Sequence, residues 1–218
     1  AIDWHTPDTT TFKYNNSELT RIGGTEGSGD HPDVEFYRLD NPTPGLNALE
    51  AINPSAGSYI RYVFQVLVVQ DVDQVNFVGE ISTGSEATAT SGDHTINITT
   101  QQADSLILTM TAMKRSDGPD LTAAANDSLV QYAEVGGGGS NGSRTALTSQ
   151  SAPTAGVYTT GANNADTDSV YIVAIELLAA AASGGTTKTI AVSMSGEGTV
   201  TPSLSRTRSL AASLTGDG

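Results

Sequence analysis

The chain has 218 residues, 37% of them apolar and 16% charged, and its 24 acidic and 10 basic residues leave a formal net charge of -14. That charge repels nucleic acid and anionic lipid, and the lack of cysteine excludes disulfide staples and thiolate metal sites. No apolar run reaches the ~20 residues of a membrane-spanning helix; the longest is Val170 to Ala182.

With so few charges, the surface must be built from Thr, Ser, Asn, Gly and Ala, a habit of extracellular and virion β-proteins. The expected location is therefore a virion surface or the extracellular space, with no nucleic-acid partner and no membrane insertion. The chain begins at Ala1-Ile2-Asp3 without an initiator Met, a basic n-region or an apolar h-region, so it reads as processed or excerpted.

In chain order, Thr10 to Tyr14 and Leu19 to Ile22 read as short strands around an Asn15-Asn16-Ser17 turn, since Asn tolerates positive φ. Gly23 to Pro32 is a polar loop, and Val34 to Leu39 alternates as a strand until Asn41-Pro42-Thr43-Pro44-Gly45 stops it. Leu46 to Ile52 is the next strand. Tyr59 to Gln70 then places Ile60, Tyr62, Phe64, Val66 and Val68 on one side, and this long alternation predicts the central strand of the fold.

Strands are further expected at Val75 to Ile81, Thr95 to Thr99, Ser105 to Met113, Leu129 to Val135, Arg144 to Gln150, Gly156 to Thr160 and Val170 to Leu178. Ser82 to Gly92 reads as a small polar connection, Asp117-Gly118-Pro119-Asp120 as a turn and Gly136 to Gly142 as a loop tip. Strand-sized runs at such spacing, with no 3.6-residue period, predict an all-β, antiparallel sandwich. The expected organisation is a β-sandwich domain over 1–178, a small-residue linker over 179–189 and a β tail over 190–218.

The tail contains a repeat. Ile190-Ala191-Val192-Ser193-Met194-Ser195-Gly196-Glu197-Gly198 returns as Leu210-Ala211-Ala212-Ser213-Leu214-Thr215-Gly216-Asp217-Gly218. One strand-sized repeat cannot bury its own face. Ile190, Val192, Met194, Val200, Leu204, Leu210 and Leu214 are therefore the candidate assembly residues.

The ordered landmarks are Phe12-Lys13-Tyr14-Asn15-Asn16-Ser17-Glu18-Leu19, Val34-Glu35-Phe36-Tyr37-Arg38-Leu39 with Asn41-Pro42, and Pro44-Gly45-Leu46-Asn47. Thr95-Ile96-Asn97-Ile98-Thr99, Asp104-Ser105-Leu106-Ile107-Leu108 and Val173-Ala174-Ile175-Glu176-Leu177 follow. From Thr10 to Leu178 this order resembles a jelly-roll-like β-sandwich module of bacteriophage tail and virion proteins and of some bacterial surface proteins. Such modules carry two strands before the Tyr-Asn-Asn hairpin, whereas here only Ala1 to Thr9 precede it. Either those strands are lost, or they were removed, or a neighbouring subunit supplies them; strand donation would cover the edge that a missing strand exposes, and the tail is the expected donor.

Chemistry is sparsely signalled. His5, His31 and His94 are the only histidines, none at metal-ligand spacing, and there is no Gly-x-Ser-x-Gly elbow, so no catalytic residues are expected. Asp71 with Asp73, and Asp166 with Asp168, set carboxylates one residue apart and are the candidate calcium ligands, against the plainer reading of solvated acidic turns. Trp4, Tyr14, Tyr37, Tyr59 and Tyr158 could stack on a glycan or lie in the core, and Asn15, Asn97, Asn126 and Asn141 head Asn-x-Ser/Thr triplets.

The resulting expectation is a non-enzymatic structural virion protein, a tail-fibre or capsid-decorating spike subunit that forms homo-oligomers or joins other virion subunits. A secreted glycan-binding or adhesion module, and an extracellular filament joined by donated strands, are the alternatives.

Overall fold

The computed structural model describes residues 2–3, 11–25, 33–42, 44–52, 63–69, 72–73, 75–86, 90–114, 118–135, 142–165, 167–180, 191–194 and 208–211. Every regular element among them is a β-strand, and every ladder is antiparallel. The protein is thus all-β, and its layers are sandwich-like.

Two strands organise it. β10 (Ser105–Lys114) and β15 (Val170–Leu177) lie side by side, Met110 opposite Val173, and both are buried along nearly their whole length. Leu106, Leu108, Met110 and Ala112 of β10 join Tyr171, Val173, Ile175 and Leu177 of β15 in one core. The alternate residues Ile107, Met113, Val170, Ile172 and Ala174 belong to cores on the opposite face. Burying one such large aliphatic side chain contributes about 1.5–3 kcal/mol, so this pair carries the densest stabilisation in the fold.

Around them the sheet runs β12 (Ser128–Val135), β13 (Ser143–Ala152), β10, β15, β8 (Val78–Glu86). One face is covered by the sheet β11 (Thr122–Ala123), β14 (Gly156–Asn164), β9 (Gly92–Thr100). β9 alternates cleanly: His94, Ile98 and Thr100 are buried, and Thr95, Asn97 and Thr99 are exposed. β8 and β9 are consecutive, so the chain turns a corner from one sheet to the other. A side chain at Gly84 would overlap Ile96, which shows how closely the sheets meet there.

The other face is covered by β1 (Ile2–Asp3), β5 (Asp33–Arg38) and β4 (Thr20–Thr25), in order β1-β5-β4, with Val34 and Phe36 in the core. Beside them β2 (Thr11–Tyr14) pairs with β3 (Ser17–Glu18) and β6 (Leu49–Ile52). Asn15 and Asn16 connect β2 to β3 at φ 49° and 62°. The predicted turn is therefore present, with Asn supplying the left-handed backbone, but its second strand is Ser17–Glu18 and not Leu19 to Ile22, a stretch that enters β4, pairs with β5 and runs on through Gly23 and Gly24 of the predicted loop. Phe12 holds this small sheet down by edge-to-face contacts with Tyr37 and Phe64, at centroid distances of 4.8 and 5.4 Å.

The predicted central strand is a correction. Of Tyr59 to Gln70, residues 59–62 and 70 lie outside the described set, 63–66 form no ladder, and only β7 (Leu67–Val69) is a strand. Alternation marks a strand with one wet face. The organising strands are dry on both faces, so their sequences lose that alternation. Two smaller differences follow. β8 continues to Glu86 through the stretch read as a polar connection, and β6 starts at Leu49, leaving Leu46 fully exposed. The glycine tract at 136–139 falls outside the described residues.

Candidate functional site

The candidate assembly residues divide. Ile190, Val200, Leu204 and Leu214 lie outside the described residues. Val192 and Met194 fall on β16 (Ala191–Met194), and Leu210 on β17 (Arg208–Ala211). β16 pairs with β17, Val192 opposite Leu210, and on its other edge with β7 through Val192–Val69, Ser193–Val68 and Met194–Leu67. Residues 191–194 of the first repeat copy therefore lie between β7 and a strand that includes Leu210 and Ala211, the first two residues of the second copy. On β7, Leu67 and Val69 pack on the core, whereas Val66 and Val68 just outside it stay 44% and 46% exposed.

Each candidate calcium pair is described only in part. Asp71 and Asp166 lie outside the described residues. Asp73 closes a turn: its Oδ1 accepts the N–H groups of Val75 and Asn76 at 2.7 and 2.9 Å. Those two bonds hold its carboxyl below the usual range. Asp168 accepts the N–H of Ser169 at 2.7 Å. Asp73 donates its backbone N–H to Leu178, just past the end of β15, whereas Asp168 stands just before its start. The length of β15, roughly 25 Å at ~3.3 Å per residue, separates them. Among the described residues, no group of three or more His, Asp or Glu side chains is placed to hold a metal ion.

His94 is buried between the two sheets, its Nδ1 3.2 Å from Glu86 Oε2; His5 and His31 lie outside the described residues. Of the aromatic candidates, Trp4 and Tyr59 are outside the described set. Tyr37 packs on Phe12 and donates to Glu35 at 2.6 Å, Tyr14 donates to the Gly45 carbonyl at 3.3 Å, and Tyr158 lies against the core between β14 and the large sheet.

Two buried polar centres and a half-buried one were missed by sequence reasoning. Glu176, on β15, is fully buried, and four donors converge on it. These are the N–H groups of Gln101 (2.9 Å), Gln102 (3.1 Å) and Glu80 (3.1 Å), and the Ser105 hydroxyl (2.8 Å). The carboxylate thereby fastens the β9–β10 corner to β8, a use that repays burial of the charge only because every lone-pair direction is filled.

Asp127 follows β11, which ends after two residues. Ala124 N still donates to the Gly161 carbonyl of β14, but Gly161 N is then taken by Asp127 Oδ2 at 2.7 Å. The side chain thus continues the ladder where the strand stops. Asp127 also accepts from the Thr160 hydroxyl at 3.1 Å, itself 2.6 Å from the Thr109 hydroxyl across the sheets. Burial pushes the Asp127 carboxyl up, against the opposing pull of Gly161 N–H and Thr160.

Arg144, fully buried on β13, donates to the Pro119 carbonyl and stands in register with Glu134. Tyr132 donates to Glu134 at 3.1 Å, and burial, followed by that carboxylate, raises its phenol above the ordinary value. Only Glu176 carries a sequence signal, a lone charge inside the apolar run from Val170 to Leu178; Asp127 and Arg144 stand among polar neighbours, Asn126 and Ser128, and Ser143 and Thr145.

The arrangement defines a β-sandwich-like protein whose buried polar groups tie sheet to sheet, with a tail strand laid on an edge. No family model, curated protein or solved structure matches the chain.

Proposed function

We propose that the chain is a structural virion subunit, a jelly-roll-like β-sandwich of a phage-like tail fibre or capsid-decorating spike, that works through β-sheet assembly. The observation that carries this reading is the ladder between β16 and β7, in which a segment packed on the sandwich core takes up a strand that follows the sandwich in sequence. Backbone pairing of that kind needs no reactive centre and transmits load along hydrogen bonds. A core dry on both faces of β10 and β15, pinned at its corners by Glu176 and Asp127, suits a part that bears stress outside the cell. Sparse charge and Thr-rich outer faces, as on β9, suit exposure to solvent.

Light scattering and negative-stain microscopy of the full chain over a wide concentration range test this. Uniform multi-subunit particles are expected. A protein that stays monomeric at every concentration contradicts it, and saturable binding on a glycan array by that monomer would favour the adhesion reading instead.

A further inference from the structure

We propose that the β7 edge accepts β16 from a second copy of this chain, so that copies are joined by reciprocal exchange of tails; this rests on the assembly reading above and names its partner and contact. The geometry of the chain's exit from the sandwich is the first argument. Ala179 bridges Val72, and Val192 pairs with Val69. From 179 to 192 the chain thus runs thirteen residues to cover a step of three along 69–72. The step is ~10 Å, while thirteen residues can reach ~43 Å. The connection is therefore long enough to reach the β7 segment of a neighbour as well as that of its own copy.

The ladder is identical in either copy, so no contact is lost on exchange, which is why swapping of a terminal element is a low-cost route to oligomers. Exchange gains from having each subunit both give and receive a strand, because the second ladder then forms within an existing complex. Charge points the same way. Residues 186–218 hold three of the 10 basic residues (Lys188, Arg206, Arg208) but only two of the 24 acidic ones (Glu197, Asp217). A tail without net negative charge is the part of one copy best suited to approach the acidic body of another. Val66, just before the ladder, and Val68, at its middle rung, are still partly open to solvent in a single copy and form the apolar strip against which an exchanging neighbour is brought.

Val68 and Ser193 are register partners, and such pairs lie about 4.5–5.5 Å apart at Cα, within reach of a disulfide. The chain has no cysteine of its own. Full-length Val68→Cys and Ser193→Cys chains, one carrying a mass tag, are unfolded, mixed, refolded and mildly oxidised, and the double variant is treated in parallel. The expected result is a covalent heterodimer of one V68C and one S193C chain, and cross-linked multimers from the double variant. A cross-link confined to single double-variant chains, or no cross-link in either sample, overturns the proposal. Light scattering on the same samples separates the two levels. Assemblies without the heterodimer sink exchange alone, and monomers without it sink the assembly reading as well.

Discussion

Gly79 leaves the space that Glu176 fills. A side-chain carbon at position 79 would overlap Glu176 Oε2 and press on Leu178, so the cradle that binds this buried carboxylate depends on a residue with no side chain. Gly79→Ala is expected to lower stability by about 1–3 kcal/mol through overpacking. Urea unfolding measures this, and an unchanged midpoint would mean that the cradle is looser than described.

Glu176→Gln tests the cradle from the other side. The amide replaces one acceptor with a donor while Gln101, Gln102, Glu80 and Ser105 continue to present donors. A loss of about 3 kcal/mol is expected, from buried donors left without a partner. Hydrogen exchange should show Gln101 and Gln102 N–H opening first.

Asp127 gives a pH dependence of defined sign. Its carboxyl is raised in the fold, chiefly by burial. Its contribution to stability is therefore full below the unfolded value near 3.8 and is lost as pH rises through the higher folded value. Asp127→Asn keeps an oxygen for Gly161 N–H and removes the charge. Relative to the parent, the variant should gain stability as pH rises from about 3.5 to 7, as read by urea unfolding at several pH values. A constant or reversed difference would contradict the burial argument.

At the alkaline end, burial and the Glu134 carboxylate raise Tyr132, and burial with Asp33 raises Tyr171. Stability from these phenols is present below the unfolded value near 10 and lost above it. Ultraviolet titration should show Tyr132 and Tyr171 ionising late and together with unfolding. Tyr132→Phe should remove one of them.

The sequence made the one-sided features legible. β9 alternates and was predicted within a few residues, and the Asn15-Asn16 turn declared itself because few residues accept its backbone. β10 and β15 were found as strands, but their rank as the centre was not, because dryness on both faces erases the period of two. Glu176 illustrates what stays hidden. Within Val173-Ala174-Ile175-Glu176-Leu177 it reads as a wet position, and its burial is decided by backbone N–H groups some 75 positions away. The tail's repeat was visible, and β7 lies within the stretch from Tyr59 to Gln70 that alternates as a strand; that the two would pair was not legible, because pairing between distant segments leaves no local pattern.

The account turns on backbone pairing between the tail and the β7 edge. Ser193→Pro removes an N–H and locks φ at the middle rung of that ladder. Sedimentation velocity of the full chain beside this variant is the most direct measurement. An assembled parent and a folded, monomeric variant are predicted; a monomeric parent, or a variant that assembles as well as the parent, would contradict the account.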